Sequence, residues 1–423
     1  MAKTPKIRFK NFSDEWVEKK FSDIAQTRRG LTYKPLDIRI NGIRVLRSSN
    51  INEDKFIFDN TDVFVTKKAI NIDYVKNGDI LITSANGSSH LVGKHAIIKN
   101  LPDKSAVHGG FMLLVTANNT EFLNASMSSA WYQKFISLFV SGGNGAIGNL
   151  SQNDLNNAYL PIPNSEEQEK IGAFFSKLDK LISLHQSKFE KLQKIKKSCL
   201  QNLFPQNNQN TPKIRFTSFS KPWETRKFSD TFIFLQNNSL SRAELSNLDG
   251  EIINIHYGDI LIKYTEILNI KTNDLTYILD NSIIKKYQAS TLQNGDIIIA
   301  DAAEDQTVGK CSEITGLTNE VVLSGLHTIP CRPNEKHANG FLGYYMNSNV
   351  YHDQLLPLLQ GTKVLSISKS ALQNTDIIYP SNLAEQCKIS DFFSKLDKLI
   401  LLHQNKFEKL QKIKKSCLQN MFV

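Results

Sequence analysis

Residues 170–204, KIGAFFSKLDKLISLHQSKFEKLQKIKKSCLQNLF, return as residues 388–422, KISDFFSKLDKLILLHQNKFEKLQKIKKSCLQNMF. Only the pairs Gly172/Ser390, Ala173/Asp391, Ser183/Leu401, Ser187/Asn405 and Leu203/Met421 differ. A repeat of this fidelity outranks any local motif in deciding architecture. Its period is about half the chain, too long for a solenoid unit and suited to two domains, each followed by its own connector. Neither copy contains a proline, and the only glycine is Gly172, in the first turn. Ile171, Phe175, Leu178, Ile182, His185, Phe189, Leu192, Lys196, Cys199 and Leu203 recur in steps of four and three, and the second copy keeps that ladder from Ile389 to Met421. The spacing predicts two long helices with a coiled-coil seam.

Working outward, Pro163 ends the preceding strand, and Ser165 with Gln168 forms the expected capping box; Asn382 with Glu385 does the same in the second copy. Phe174, Leu181 and Ile195, answered by Phe392, Leu399 and Ile413, widen the apolar stripe beyond a two-stranded seam and mark a further partner surface. Two readings stand for His185, His403, Lys196 and Lys414. Polar seam residues fix register between the copies; alternatively they sit at the seam edge with their heads in water, the lysines by snorkelling, which is the commoner outcome. Cys199 and Cys417 are expected as small core hydrophobes. The stretch KLQKIKK is able to touch DNA phosphates, although a solvated helix face is its ordinary explanation.

The regions ahead of the helices are related more loosely. TPKIRF at 4–9 returns at 211–216, FSDEW at 12–16 answers FSKPW at 219–223, NGDILI at 77–82 matches NGDIII at 294–299, and VGK occurs at 92–94 and 308–310. PQNNQNTP (205–212), bounded by prolines, is a linker. In the first region RVLR (44–47), FIF (56–58), DILIT (79–83), HAIIK (95–99) and FMLLV (111–115) are expected as strands, followed by a helix at 121–140 and a glycine-rich loop at 141–151. In the second, 251–262, 296–300 and 321–330 are expected as strands, with a helix at 338–356 and a loop at 360–368. Each is an α+β domain. The expected boundaries are 1–164, then a helix over 165–204, then linker and second domain over 205–382, then a helix over 383–423.

Composition narrows the class. At 423 residues with 40% hydrophobic and 22% charged side chains, the chain suits two or three folded domains and is neither disordered nor collagenous. No apolar run approaches the ~18 residues of a membrane span, and the first residues lack the apolar core of a secretion signal. Five cysteines without CxxC spacing indicate neither a disulfide framework nor a zinc site, so a reducing cytoplasm is expected. The net charge of +10 is unevenly placed: +6 over 1–165, +3 over 166–204, −3 over 205–383 and +4 over 384–423. A basic balance is therefore only a weak pointer to nucleic acid.

Catalytic signatures are missing. GxxxxGK[ST], HExxH, GxSxG and the kinase set do not occur, and His90, His95 and His108 lack metal-ligand spacing. Asp301, Glu304 and Asp305 offer a carboxylate cluster, but no carboxylates stand at Ser84, Gly87 or Ser88 in the sister copy, so an acidic loop is expected. What recurs is a strand ending in GDI, a polar loop, then VGK. A fixed scaffold with a changed loop is a way to tune recognition. Ser84, Asn86, Ser88 and Ser89 can address groove edges, as can Gln306 and Thr307, while Asp301, Glu304 and Asp305 can accept from cytosine. Lys94 and Lys310 are expected on phosphates. Arg28 and Arg47, Asn144 in the glycine-rich loop, and Thr362 and Lys363 in its counterpart complete the candidate DNA-binding set.

K-x-R-F-x-x-F…W, then NGDI and VGK, then a proline shortly before E-Q-x-K-I and a long helix, all present twice, resemble the specificity subunit of type I restriction-modification enzymes. The resemblance covers essentially the whole chain. It implies two target-recognition domains separated by two long antiparallel coiled-coil helices with an internal pseudo-twofold repeat, reading a bipartite, asymmetric site in double-stranded DNA. It also implies docking of two modification subunits and of restriction subunits. S-adenosylmethionine, ATP and Mg are then expected on those partners and no cofactor or metal in this chain, which lacks the [DN]PP[YF] methyltransferase motif. Alternative readings are a coiled-coil scaffold without DNA contact and a self-contained methyltransferase or nuclease.

Overall fold

The computed structural model describes residues 4–140, 148–206, 209–248 and 250–423. The chain forms two compact units, one of residues 1–186 with 404–423 and the other of 187–403. Both repeated segments are single helices, Ser165–Asn202 and Leu383–Asn420, and each helix begins in one unit and ends in the other.

Unit 1 contains two four-stranded sheets. The first runs in the order His95–Ile97, Ile80–Thr83, Met112–Ala117, Ala25–Arg29, antiparallel throughout. The second runs Ala106–His108, Ile43–Leu46, Val63–Val65, Ile38–Arg39, with its first pair parallel. Unit 2 repeats both. Phe232–Phe234, Thr328–Pro333, Ile297–Ala300 and Cys311–Thr315 take the places of the first sheet, extended by a parallel fifth strand, Ile267–Asn269. Val321–Ser324, Ile252–Ile255, Thr276–Ile278 and Leu245–Ser246 form the second, again with one parallel pair. Two regions of loosely related sequence thus share one topology.

The NGDI motif is a device for entering the central strand. Asn77 and Asn294 each bridge a backbone amide and carbonyl, at Leu101 and at Leu317. Gly78 (φ 95°) and Gly295 (φ 92°) take a left-handed turn that a Cβ disfavours. Asp79 and Asp296 accept from the backbone N–H three residues earlier, and each receives an arginine: Arg28 Nη2 at 3.2 Å, and Arg332 through Nε and Nη2 at 2.9 and 2.7 Å.

Several elements differ from the sequence expectation. The helix expected over 121–140 is two, Thr120–Met127 and Ala130–Phe139, and that over 338–356 is Phe341–Met346 followed by Asn349–Leu355. Residues 251–262 are a strand only to Ile255; the His256 ring then accepts from Gly258 N and opens the helix Tyr257–Ile262. Apolar runs do not distinguish a buried strand from a buried helix turn. Residues 321–330 hold two strands in different sheets, because the chain turns at Gly325. The loop expected at 360–368 contains a short strand, Leu365–Ser366. Asn164, rather than Ser165, caps the first long helix, accepting from Glu167 N (3.0 Å), while Gln168 reaches back to Pro163 O. Asn382 caps the second, accepting from Ala384 N. Glu385 leaves its expected capping box for an ion pair.

In unit 1 the pairs Asp179–Lys414 (2.7 Å) and Phe175–Phe422 (5.7 Å between rings) set the two helix segments antiparallel. Lys196–Asp397 (2.8 Å) and Phe204–Phe393 (6.0 Å) do the same in unit 2. The lysines are therefore register-setting seam residues with acidic partners, not snorkelling cations. Each helix start and helix end also completes a domain core. Phe175 and Phe422 pack with Trp16 and Phe122 in unit 1; Phe393 and Phe204 pack with Trp223, Phe341 and Tyr345 in unit 2. Arg8 grips the buried Glu167 in a bidentate pair at 2.7 and 2.8 Å, and Arg215 grips Glu385 at the same distances. Those contacts account for the repeated K-I-R-F and E-Q signatures.

Candidate DNA interface

In both units the polar loop after the central strand is held at three points. VGK closes its far end: Gly93 N donates to Thr83 O and Thr83 N to Lys94 O, as Gly309 N does to Ala300 O and Ala300 N to Lys310 O, all at 2.9 Å. Gly93 and Gly309 are left-handed, and a Cβ would strike Ile136 and Leu355. The near end pairs as a short ladder with the second candidate loop. Ala85–Asn86 lies against Gly148–Asn149 in unit 1, and Ala302–Ala303 lies against Leu365–Ser366 in unit 2. The third tie comes from the turn ahead of the neighbouring strand, where Phe111 O accepts from Ser84 N and His327 O accepts from Asp301 N.

Loops far apart in sequence thus meet in the same way twice. The ladder brings Thr362 and Lys363, both exposed, to the loop bearing Glu304, Asp305, Gln306 and Thr307. Asn144 lies outside the described residues. Within the unit 1 loop, Ser88 and Ser89 are exposed, whereas Ser84 is buried and Asn86 is engaged with Ser48 Oγ (3.2 Å) and Ser88 N (2.9 Å). Glu304 and Gln306 are exposed. Asp305 is turned onto Thr307, whose N–H (2.9 Å) and hydroxyl (2.5 Å) hold its carboxyl below the usual range.

Three basic candidates differ from a free phosphate clamp. Lys310 Nζ donates to Leu261 O at 2.9 Å, and burial lowers its ammonium below the ordinary lysine value. Arg28 is committed to Asp79 and Thr116, and Arg47 donates to Thr61 O at 2.7 Å. Lys94 is half-buried. Asp301 is also turned inward, its Oδ1 lying 3.2 Å from His327 Nδ1, and burial raises its carboxyl above the ordinary value. Among the expected histidines, His95 is buried with both ring nitrogens on the carbonyls of Gly93 and Asn124.

On the helices, Leu181, Leu399, Ile195 and Ile413 remain exposed, as do Leu184 and Leu402, which lie off the four-three seam. Phe174 and Phe392 instead pack against their own cores, Phe174 edge-on to Phe9 at 6.0 Å. The arm carrying K-I-R-F is also tied to the end of the other long helix, Ile7 N donating to Asn420 O in unit 1 and Ile214 N to Asn202 O in unit 2.

A family profile described as "Type I restriction modification DNA specificity domain" matches residues 13–196 and again 220–412. The chain belongs to this specificity family. Its members are DNA-recognition subunits, not catalysts. A putative type I restriction enzyme specificity subunit, MjaX, of Methanocaldococcus jannaschii is 26% identical over 417 residues, 95% of this chain and 91% of the relative. The EcoKI specificity subunit of Escherichia coli is 25% identical over 323 residues, covering 73% and 66% of the two chains. The crystal structure of a type I S subunit from M. genitalium shares the fold, with a TM-score of 0.61 at 14% identity over 99% of both chains. The duplicated profile coincides with the duplicated topology. Among the described residues, no helix of the specificity subunit is long and apolar enough to cross a membrane.

Proposed function

We propose that the two units each read one half of a bipartite, asymmetric site in double-stranded DNA, with residues 1–164 and 205–382 supplying the recognition surfaces. The observation that carries this reading is the paired-loop arrangement: identical backbone ties in both units around loops of different chemistry, TSANGSSHL against ADAAEDQT. Two equal scaffolds with unequal loops recognise two unequal half-sites, because base readout is local while phosphate contacts only position. Glu304 and Gln306 in unit 2 and Ser88 and Ser89 in unit 1 are the exposed groups best suited to base edges.

Two modification subunits and the restriction subunits dock on the same chain, the exposed leucines and isoleucines of the helices giving them an apolar surface. Those partners hold S-adenosylmethionine, ATP and Mg, and they supply positive charge that the −3 balance of 205–383 lacks. The complex works in the cytoplasm, where the five cysteines stay reduced.

Exchanging residues 1–160 for those of a relative, in a host carrying the partner subunits, tests the reading. Mapping of methylated adenines is expected to show one half-site changed and the other kept. Alteration of both halves, or of neither, refutes independent reading by the two units.

A further inference from the structure

One exposed side chain occupies the same place in both units, on the turn between the two sheets. In unit 1 Gly109 N donates to Leu46 O at 2.8 Å and the chain runs through Phe111 into the strand Met112–Ala117; in unit 2 Gly325 N donates to Ile255 O at 2.8 Å and the chain runs through His327 into Thr328–Pro333. The next ties also match. Phe111 O accepts from Ser84 N (2.9 Å) and His327 O from Asp301 N (3.1 Å); Ser84 O accepts from Leu150 N (2.7 Å) and Asp301 O from Ile367 N (2.9 Å). Phe111 and His327 are therefore equivalent positions, fixed by backbone to the first residue of each recognition loop and to its partner loop.

The backbone is rigid there and the side chains are open. Phe111 is 69% exposed, and the His327 side chain is 53% exposed. His327 also sits at φ 53°, a left-handed conformation uncommon for a residue with a Cβ and retained where the surroundings over-determine it. A phenylalanine ring exposed on a rigid turn gains nothing for the core; against DNA it has one favourable partner in the major groove, the 5-methyl group of thymine. For His327, the Asp301 carboxylate at 3.2 Å accepts only, so it selects the tautomer with hydrogen on Nδ1. Nε2 then offers a lone pair. The matching groove-edge donors are the amino groups of adenine N6 and cytosine N4. The Tyr257 ring, edge-on at 5.2 Å, fixes the imidazole plane.

We propose that Phe111 and His327 are the equivalent specificity-determining residues of the two units, Phe111 packing on a thymine methyl and His327 accepting from a base amino group. The proposal rests on the reading that each unit recognises one half-site. Asp301 acts as a positioning residue for the imidazole rather than as a base reader.

The test uses the full chain assembled with its modification subunits, on duplexes carrying the site that this complex methylates. Replacing thymines one at a time by deoxyuridine removes the methyl alone. One position in the unit 1 half-site is expected to lose about fourfold in binding, the worth of one buried methyl, and Phe111→Ala is expected to abolish that sensitivity while Phe111→Leu keeps it. In the other half-site, a base lacking its amino group is expected to lose about tenfold against wild type and nothing against His327→Ala. Asp301→Ala is expected to give the same loss, with the double variant no worse than either single one, a coupling that a merely structural role would not produce. All three side chains sit on the surface or at its edge, and melting curves verify folding. A wild-type complex with a clear bipartite site whose base preferences survive both Phe111→Ala and His327→Ala overturns the proposal and leaves the half-site reading intact. A wild-type complex that selects no bipartite site overturns both.

Discussion

Lys196 and Lys414 occupy identical positions in the repeated helices, yet their surroundings predict different costs of removal. Lys196 lies between Glu266 and Asp397, both at 2.8 Å, with the three side chains only 17%, 15% and 29% exposed. Asp397 also accepts from the Tyr344 hydroxyl at 2.8 Å. Lys196→Ala strands two largely buried carboxylates, and breaking such a group costs about 3–5 kcal/mol. Lys414 has Asp179 as its ion-pair partner at 2.7 Å, and that carboxylate is 42% exposed. Water takes over there, so Lys414→Ala costs about 1 kcal/mol or less. At about 2–4 °C per kcal/mol for units of this size, thermal melting is expected to fall by roughly 6 °C or more for Lys196→Ala and by a few degrees at most for Lys414→Ala.

The pH dependence has a definite sign. Burial raises the Asp397 carboxyl above its ordinary value despite Lys196, so the folded state holds that proton to higher pH than the unfolded chain does. Stability contributed this way is present at low pH and lost as pH rises through the folded value. Removing the lysine enlarges the effect. The deficit of Lys196→Ala is therefore expected to shrink as pH falls into the carboxylate range, while that of Lys414→Ala stays small throughout. Equal melting shifts for the two variants, or a Lys196→Ala deficit that grows on acidification, would refute the assignment of Lys196 as a buried register pair.

Arg215→Ala leaves the buried Glu385 with Trp223 Nε1 (3.2 Å) as its one remaining side-chain donor among the described residues, and urea titration is expected to show a loss of about 3–5 kcal/mol. Lys310→Ala removes an ammonium that serves Leu261 O, so it is expected to lower stability by about 1–2 kcal/mol and leave the salt slope of DNA binding unchanged; a slope reduced by about one would restore the phosphate role. Gly30→Ala places a Cβ 1.9 Å from Gly109 O, with no flexible side chain able to yield, and a loss of roughly 3 kcal/mol or more is expected in the same titration.

The long helices, their seam and the doubled order were legible in the sequence because a period of four and three repeated over 35 residues leaves no other reading. The loops bearing the candidate site were legible as variable inserts between GDI and VGK, but not as pairs. Ala302 meets Ser366 through a two-residue ladder, and so short a ladder leaves no periodic trace. Lys310 and Asp301 looked like contact residues because loop position suggests exposure; the carbonyl of Leu261 and the ring of His327, which turn them inward, come from segments distant in sequence. Phe111 stands in the sequence as the first residue of an apolar strand, and composition does not tell an exposed aromatic from a buried one.

Why the helices are near copies while the domains are not follows from the packing. Each helix supplies its start to one unit and its end to the other: Phe175 and Phe422 fill one core, Phe393 and Phe204 the other. A substitution in one helix head must be compatible with the tail of the other copy, and each tail must also receive an arm bond, from Ile7 or from Ile214. Two helices meeting the same demands from both directions are held to one sequence. Gly172/Ser390 shows how far that allows departure: a Cβ at Gly172 would lie 2.7 Å from Phe122 N, whereas Ser390 has room to donate its hydroxyl to Asn339 O at 2.5 Å. The loops carry no such double duty. Their backbone ties are met by N–H and C=O groups that every residue but proline provides, which leaves the side chains free to differ between the units.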